Sequence, residues 1–138
     1  MSDFVVDASV AIKCFFWEEG TEESLKLLDY IVSFYVPDFF LMEIDSVITK
    51  KVRKRELEVE EAVGKRQQLR KLPFKLIPYE EIGAFSFELS TKLPISLYDA
   101  SYLATAIDYG ATLYTADKRL FNGISSTPFD DYVEKIRY

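Results

Sequence analysis

The sequence predicts an α/β domain built around a parallel sheet. Short apolar runs of three or four residues, the length of buried strands, alternate along the chain with longer segments of helical periodicity. The 138 residues suffice for one compact domain and are too few for two ordinary ones, so we expect a single domain over residues 1–138. A hydrophobic content of 49% with 29% charged residues is typical of a globular protein.

The chain begins with a predicted strand and two predicted helices. Residues 4–6 form an apolar run that fits a buried strand, and Asp7 follows at the turn into a helix over residues 10–17. Gly20 interrupts the helical pattern, which resumes over residues 22–33.

A second strand and two further helices are expected next. The apolar run 34–36 ends at Pro37, which cannot donate a hydrogen bond within a sheet. Asp38 is a residue type preferred at the N-cap, and we expect it to cap a long helix over residues 39–55. A fourth helix is predicted over residues 59–71.

The third strand is predicted at residues 75–77. Helical residues follow over 79–92 until Pro94 stops them. The next helix is expected over residues 96–109 and ends at Gly110, the residue type that most often terminates a helix.

Two strands complete the predicted sheet. Residues 111–114 are the fourth apolar run, a short helical stretch follows at 118–121, and residues 133–136 form a candidate last strand. Ligands of parallel sheets bind outside the carboxyl ends of the strands. Since Asp7 follows the first strand and Asp117 the fourth, both acids are expected at that edge.

Histidine is absent, and its absence limits the chemistry that this chain could perform. It excludes Ser-His-Asp triads, Cys-His pairs and the histidine-based ribonucleases that need no metal. The single Cys14 cannot form an internal disulfide, and a zinc site would have almost only oxygen ligands. If the chain is an enzyme, its tools are carboxylates with a hard cation, or an aspartate nucleophile.

The sequence gives no sign of export or of membrane insertion. The longest apolar stretch, residues 30–42, is interrupted by polar residues and proline, and the N-terminus lacks the basic region of a secretory signal. With one cysteine as well, we expect a cytoplasmic protein with no membrane association.

Helix capping could account singly for three of the acidic residues. Asp7 and Asp117 each precede a predicted helix, where an N-cap side chain accepts a backbone N–H. Asp99 lies three residues after Ser96, which is the spacing of a capping box.

Glu43 has no such explanation on its predicted helix. Asp38 is expected to occupy the N-cap, and Glu43 should lie beyond the first turn, at the edge of an apolar stripe next to Phe40 and Val47. Asp99 likewise heads the inward-facing stripe of its helix. A partly enclosed carboxylate costs free energy unless a cation or a donor compensates it, and a Lys or Arg of another element could also do so.

Together the four acids predict a metal site. Carboxylates that converge at one sheet edge repel each other without a counter-charge, and hard divalent ions accept all-oxygen sites. Such a site suits phosphodiester cleavage by a metal-activated water. Ser9 and Thr115 could support the carboxylates by donating hydrogen bonds, or could have only turn roles.

Basic segments offset a formal net charge of −6 that argues against binding nucleic acid through net charge alone. They read Lys-Lys-Val-Arg-Lys-Arg at 50–55 and Lys-Arg-Gln-Gln-Leu-Arg-Lys at 65–71. Lys50 and Lys54 lie within about 20° of Glu43 around the helix axis, so they could guide an RNA backbone toward the metal. Surface pairing with nearby glutamates is the alternative.

Four short motifs contain the acidic residues. They are Val-Val-Asp-Ala-Ser at 5–9, Glu43 on a helix after Val-Pro-Asp, Tyr-Asp-Ala-Ser-Tyr-Leu-Ala-Thr-Ala at 98–106, and Leu-Tyr-Thr-Ala-Asp at 113–117. In this order and at these separations, over essentially the whole chain, they resemble the PIN domain. More narrowly, they resemble the VapC-type toxins of prokaryotic toxin–antitoxin pairs.

The resemblance implies a three-layer α/β/α fold with a central parallel sheet of four or five short strands flanked by helices. It also implies an RNA endonuclease that uses Mg²⁺ or Mn²⁺, a homodimer, and inhibition by a cognate antitoxin protein. The four acidic positions of the family fall on Asp7, Glu43, Asp99 and Asp117. Some relatives carry a further acid two residues after the last one, where this chain has Arg119, so a complete second metal site is not implied.

Other enzyme classes fit less well. A dehalogenase-like phosphatase needs a second Asp two residues after the first, where this chain has Ser9, and a receiver domain needs an acidic pair after the first strand. A PIN-like module that binds RNA or protein without turnover, and a housekeeping RNA-processing nuclease, stay open as alternatives to a toxin.

Overall fold

The computed structural model describes residues 3–16, 20–30 and 33–136. These residues form five strands: β1 (Asp3–Val6), β2 (Phe34–Pro37), β3 (Phe74–Ile77), β4 (Ala111–Thr115) and β5 (Val133–Lys135). They form seven α-helices: α1 (Ala8–Phe15), α2 (Thr21–Tyr30), α3 (Phe40–Arg53), α4 (Val59–Leu69), α5 (Tyr79–Lys92), α6 (Leu97–Asp108) and α7 (Lys118–Ser125). A short 3₁₀ helix, Asp130–Tyr132, precedes β5.

The five strands form one parallel sheet in the order β3-β2-β1-β4-β5. In the central strand β1, Val5 is opposite Tyr35 of β2 on one side and Leu113 of β4 on the other. The chain builds outward from β1 to β3 and then crosses to β4 on the far side of β1. Such a reversal of direction leaves a crevice at the carboxyl ends of β1 and β4, where α/β proteins bind ligands.

Helices cover both faces of the sheet, which confirms the predicted α/β/α arrangement. The helix α6 packs against β1, β2 and β4 and carries α5 on its outer side, whereas α1 contacts α2, α3 and α4. Right-handed crossovers explain why the helices are divided between the two faces of the sheet. The connection from β3 to β4 runs across the sheet in the opposite direction to those from β1 to β2 and from β2 to β3, so its helices lie on the opposite face. None of the helices in the described ranges is long and apolar enough to cross a membrane.

The core lies between the sheet and these helices. Val5, Val6 and Leu113 are fully buried, as expected for strands covered on both faces. Residues 100–106 of α6 are buried all round, because this helix is enclosed between the sheet and α5.

Several helix ends differ from the sequence prediction. The first helix begins at Ala8 because Asp7 caps it, and the last extends to Ser125 because Leu120 and Ile124 bury one of its faces. The predicted end of the first helix at Trp17 lies outside the described residues, as do residues 31 and 32 at the end of the second.

The prediction that Asp38 caps the third helix was wrong. Phe39 occupies the N-cap of α3 without a side-chain hydrogen bond. The Asp38 N–H donates to the Ile77 carbonyl at 2.9 Å, and its Oδ2 accepts from the Tyr79 N–H at 3.4 Å, so Asp38 ties the end of β2 to the start of α5. Glu43 therefore lies in the first turn of α3, not beyond it as predicted.

Candidate active site

Asp7 lies at the carboxyl end of the central strand with its carboxylate buried. Its Oδ1 accepts hydrogen bonds from the Ser9 hydroxyl at 2.5 Å and from the Val10 N–H at 3.2 Å. Its Oδ2 accepts a short hydrogen bond from the Thr115 hydroxyl. Asp7 therefore is the N-cap of α1, as the sequence suggested. Only the hydrogen bond from the Val10 N–H belongs to this cap, and capping does not explain the bonds from Ser9 and Thr115.

The two hydroxyl groups that support Asp7 are themselves held by the backbone of the fourth motif. The Ser9 hydroxyl oxygen accepts from the Ala116 N–H at 3.0 Å, and the Thr115 hydroxyl oxygen accepts from the Asp117 N–H at 3.0 Å. Both hydroxyls expected to donate to the acidic site thus donate to Asp7, and they link the loop after β1 to the loop after β4.

Glu43 accepts its hydrogen bond from a tyrosine, not from a backbone amide. The Tyr102 hydroxyl donates to Glu43 Oε1 at 2.6 Å, across 59 positions of sequence. Although Glu43 is in the first turn of α3, its carboxylate therefore does not cap that helix, and it faces α6 on the other side of the cavity.

Asp99 and Asp117 both lie at helix starts near Asp7. The Ser96 hydroxyl caps α6 by accepting from the Asp99 N–H at 3.1 Å, which leaves the Asp99 carboxylate at the cavity. Asp117 is exposed, and its Oδ1 accepts from the N–H groups of Arg119 at 2.8 Å and Leu120 at 3.3 Å. Its Oδ2 takes no part in this cap.

All four acids line one open cavity of about 430 Å³ at the carboxyl edge of the sheet. We call it the acidic cavity. The residues that line it are Asp7, Ala8, Ser9, Ile12, Lys13, Glu43, Val47, Lys51, Asp99, Tyr102, Ala116 and Asp117. The structure thus brings together the four acids and Ser9, which were selected from the sequence as widely separated residues.

The structure places the basic residues differently from the sequence prediction. Lys50 and Lys54 are exposed and do not line the acidic cavity, so their predicted contact with RNA stays a prediction. Lys51 and Lys13 line it instead. Helical spacing in the sequence could have identified both residues. Lys51 lies eight residues after Glu43 on the same face of α3, and Lys13 lies four residues after Ser9 on the same face of α1.

Burial and mutual repulsion dominate the electrostatics of the site. Burial raises the pKa of Asp7 to about 7, against the opposing effect of its hydrogen bonds. Burial and then the charge of Asp99 raise the pKa of Glu43, which the Tyr102 hydroxyl lowers in part. Burial and then the charge of Asp117 raise the pKa of Asp99. A nearby cation would relieve all three of these carboxylates.

The donor set fits a hard divalent cation. Carboxylate and hydroxyl oxygens surround the cavity, and no described residue there offers the sulfur or imidazole that zinc prefers. As they stand, no three acidic side chains of the described ranges are close enough together to hold one ion. Carboxylates without a counter-charge repel each other, so a cation held by three of them would need one or more of these side chains to turn inward.

Sequence comparison identifies relatives of this chain. A family model described as the PIN domain matches residues 4–125. Ribonuclease VapC3 of Pyrobaculum aerophilum is 28% identical over 118 residues, which cover 84% of this chain and 90% of that protein.

Solved structures with the same fold include proteins of toxin–antitoxin pairs. A toxin–antitoxin complex from Klebsiella pneumoniae matches with a TM-score of 0.68 and 21% identity, covering 99% of this chain and 98% of the other. VapC20 of Mycobacterium tuberculosis, described as a toxin that cleaves the sarcin–ricin loop, matches with a TM-score of 0.67 and 14% identity, covering 86% and 92%. At these identities the similarity establishes the shared fold.

Proposed function

The chain belongs to the PIN domain family, and on that premise we propose that it is a metal-dependent endoribonuclease, the toxin of a type II toxin–antitoxin pair. The observation that carries this proposal is the convergence of Asp7, Glu43, Asp99 and Asp117 on one cavity at the carboxyl edge of the sheet. The ribonuclease name of the relative from Pyrobaculum aerophilum supports the choice of RNA as substrate.

In this proposal Asp7 and Asp99 hold Mg²⁺ or Mn²⁺ most directly, and Glu43 and Asp117 complete the ligand set or orient its waters. When bound, the cation would activate water and neutralise charge on the phosphate. The Ser9 and Thr115 hydroxyls fix the orientation of Asp7.

Asp7 has a proton to release before it can serve as a ligand. Because burial raises the pKa of Asp7 to about 7, its carboxyl group is partly protonated near neutral pH without a cation. The hydroxyls of Ser9 and Thr115 donate toward the two Asp7 oxygens and favour the ionised form that a cation needs.

The proposed partners follow from the same relatives. One solved structure of this fold is named as a toxin–antitoxin complex, from Klebsiella pneumoniae, and another as VapBC2 from Rickettsia felis bound to a DNA fragment from their promoter. We therefore include in the proposal a cognate antitoxin protein that inhibits this chain, a homodimer, and action in the cytoplasm.

Replacing Asp7 by Asn tests the proposed function. The Asp7→Asn variant should cleave single-stranded RNA at least ~100-fold more slowly than wild type in Mg²⁺ or Mn²⁺, because it removes a charged ligand and not merely an outer support, whose loss costs about 10- to 100-fold. The measurement is cleavage of an end-labelled RNA by protein purified free of other nucleases, with circular dichroism to show that the fold is retained.

Asp3→Asn is the matched control, since Asp3 is an exposed acid at the opposite end of the same strand. It should cleave like wild type. If Asp7→Asn retains full activity, the assignment of the site is wrong. If wild type cleaves no RNA and millimolar Mn²⁺ leaves its melting temperature unchanged, a binding module without turnover replaces the nuclease.

A further inference from the structure

The proposed active site makes no use of the most basic part of the chain. Nine of the 17 Lys and Arg residues lie within residues 50–71, together with four of the 23 Asp and Glu residues. This segment comprises the end of α3, the loop after it and all of α4. The chain as a whole has a net charge of −6, so this local excess of positive charge is either solvated or binds a partner.

One residue joins this basic segment to the acidic cavity. Glu43, Val47 and Lys51 follow one another at intervals of four along α3, and all three line the acidic cavity. Lys51 also lines a second open cavity of about 480 Å³. The lining of this second cavity is Phe15, Phe16, Lys51, Glu56, Leu57, Glu61 and Lys65. Lys51 is the lining residue that the two cavities share.

An aromatic ring holds the ammonium groups at this junction. The Lys51 Nζ lies 5.1 Å from the centroid of the Phe16 ring and the Lys65 Nζ lies 5.8 Å from it, both within the range of a cation–π contact. Phe16 is 8% exposed, so its ring is a fixed support. Lys51 also takes part in another interaction besides the one with Phe16.

The distance along α3 determines which part of a substrate Lys51 could contact. Lys51 is eight residues beyond Glu43, which is about 12 Å along the helix axis. Its ammonium group is held beside the Phe16 ring, away from the start of α3 where Glu43 lies. It is placed to contact a phosphate farther along the strand, on one side of the cleaved bond only.

We propose that Lys51 binds a backbone phosphate of single-stranded RNA beside the cleavage site, and that the strand runs from the acidic cavity past Lys51 toward Lys65 in the second cavity. This inference rests on the proposed function and adds the direction in which the substrate leaves the site. Glu56 and Glu61 line the same second cavity, so phosphate is attracted there by the two ammonium groups over Phe16 and not by net charge.

The salt dependence of RNA binding tests the contact. Lys51→Met keeps most of the side-chain volume and removes the charge, so it should weaken binding of a labelled single-stranded RNA on the order of fivefold at 0.1 M salt. It should also reduce the steepness of log K against log salt by about 0.7, the value for one phosphate contact on a single strand. Binding is measured by fluorescence anisotropy in EDTA, where the proposed hydrolysis does not proceed.

Three further variants keep this result interpretable. Lys92→Met removes an exposed charge on α5 that pairs with Glu88 and lines neither cavity, and it should leave the slope unchanged. Lys51→Arg changes the shape of the side chain but keeps its charge. It should retain the wild-type slope if the charge of Lys51, and not its packing, contacts the phosphate. Lys65→Met should act in the same direction as Lys51→Met.

Truncated substrates test the direction of the strand. In cleavage assays Lys51→Met should raise KM and leave kcat nearly unchanged, because the contact lies away from the reacting phosphate. Shortening the RNA from one end should abolish the difference between wild type and Lys51→Met, and shortening it from the other end should preserve it.

The outcomes separate this inference from the proposed function. If wild type cleaves RNA but Lys51→Met binds it with unchanged affinity and slope, or if Lys92→Met has the same effect as Lys51→Met, the contact at Lys51 is wrong and the nuclease assignment stands. If truncation from either end has the same effect, the one-sided path is wrong. If wild type neither binds nor cleaves RNA, both proposals fail together.

Discussion

The hydrogen bond from Tyr102 to Glu43 orients one of the four carboxylates. The tyrosine is 1% exposed and lies on α6, so its hydroxyl group is a rigidly placed donor. A carboxylate that accepts such a bond loses rotational freedom and is stabilised in its charged form. Tyr102 therefore prepares Glu43 to face the acidic cavity before any cation binds.

Tyr102→Phe should weaken the apparent affinity for Mn²⁺ and slow RNA cleavage by about tenfold, as for other outer supports of metal ligands. The ring keeps its place in the core, so unfolding free energy should fall by only about 1 kcal/mol. Affinity is measured from the rise in melting temperature with Mn²⁺ concentration.

Tyr109→Phe is the control for this variant. Its hydroxyl group also donates to a glutamate, Glu81 at 3.1 Å, but on an exposed surface away from the acidic cavity. It should behave as wild type in both assays. An unchanged Mn²⁺ affinity in Tyr102→Phe would show that the hydroxyl does not position Glu43 for a cation.

Helix α7 shows how one element holds an active-site residue in place. Its N-cap is Asp117, and its Gly123 lies against the turn between α5 and α6. A Cβ at position 123 would lie 2.6 Å from Ile95 Cγ2 and 3.2 Å from the Pro94 carbonyl oxygen. The absence of a side chain at Gly123 therefore lets α7 approach the rest of the domain closely.

Two glycine substitutions should have opposite effects on stability. Gly123→Ala should destabilise the fold by about 1–3 kcal/mol, because a backbone oxygen cannot move aside cheaply, and should lower activity by shifting α7. Gly64→Ala, inside α4 with no atom within 4 Å of the added Cβ, should stabilise it by about 0.5–1 kcal/mol. Urea denaturation measures the change in unfolding free energy of both variants. If both variants were stabilised, or both destabilised, this account would be wrong.

The sequence predicted the order and type of the elements because buried parallel strands and amphipathic helices have distinct patterns. It also predicted Asp7 and Asp117 at one edge, since both follow parallel strands. It missed the bond of Tyr102 to Glu43 and the position of Lys51, because these depend on how α3 packs against α6 and α1. Periodicity within one helix carries no information about such packing. The error at Asp38 has the same origin, since its true partner belongs to α5.

At the scale of the whole molecule, stability is linked to the charge of the acidic cavity. Asp7 has a pKa of about 7 in the folded protein and about 3.9 in an unfolded chain. Between these values the folded protein binds one proton that the unfolded chain has released. Stability from this group is therefore greatest at low pH and falls as pH rises from about 4 to 7, by up to about 1.4 kcal/mol per unit.

Asp7→Asn should remove this dependence in metal-free protein. The unfolding free energy of the variant relative to wild type should increase between pH 4 and pH 7 and stay level above that. Urea titrations in EDTA at several pH values measure it. A flat difference for Asp7→Asn would show that Asp7 ionises normally in the fold.

Added Mn²⁺ should oppose the fall in wild-type stability that accompanies rising pH. Binding requires the ionised carboxylates, so the rise in melting temperature with millimolar Mn²⁺ should be larger at pH 8 than at pH 5. A single unfolding transition in the same experiments would support the expectation of one domain over residues 1–138.

The pairing of β1 with β4 determines when the site can form during synthesis. The Thr115 hydroxyl and the Asp7 carboxylate that it bonds are 108 positions apart, so Asp7 leaves the ribosome long before its partner. At the usual rates of translation this interval is roughly 5 to 20 seconds. Throughout it, the nascent chain carries Asp7 without β4, the support from Thr115, or Asp117. The proposed nuclease is therefore without its site while most of it is being made, and acquires the site only when the fourth strand emerges.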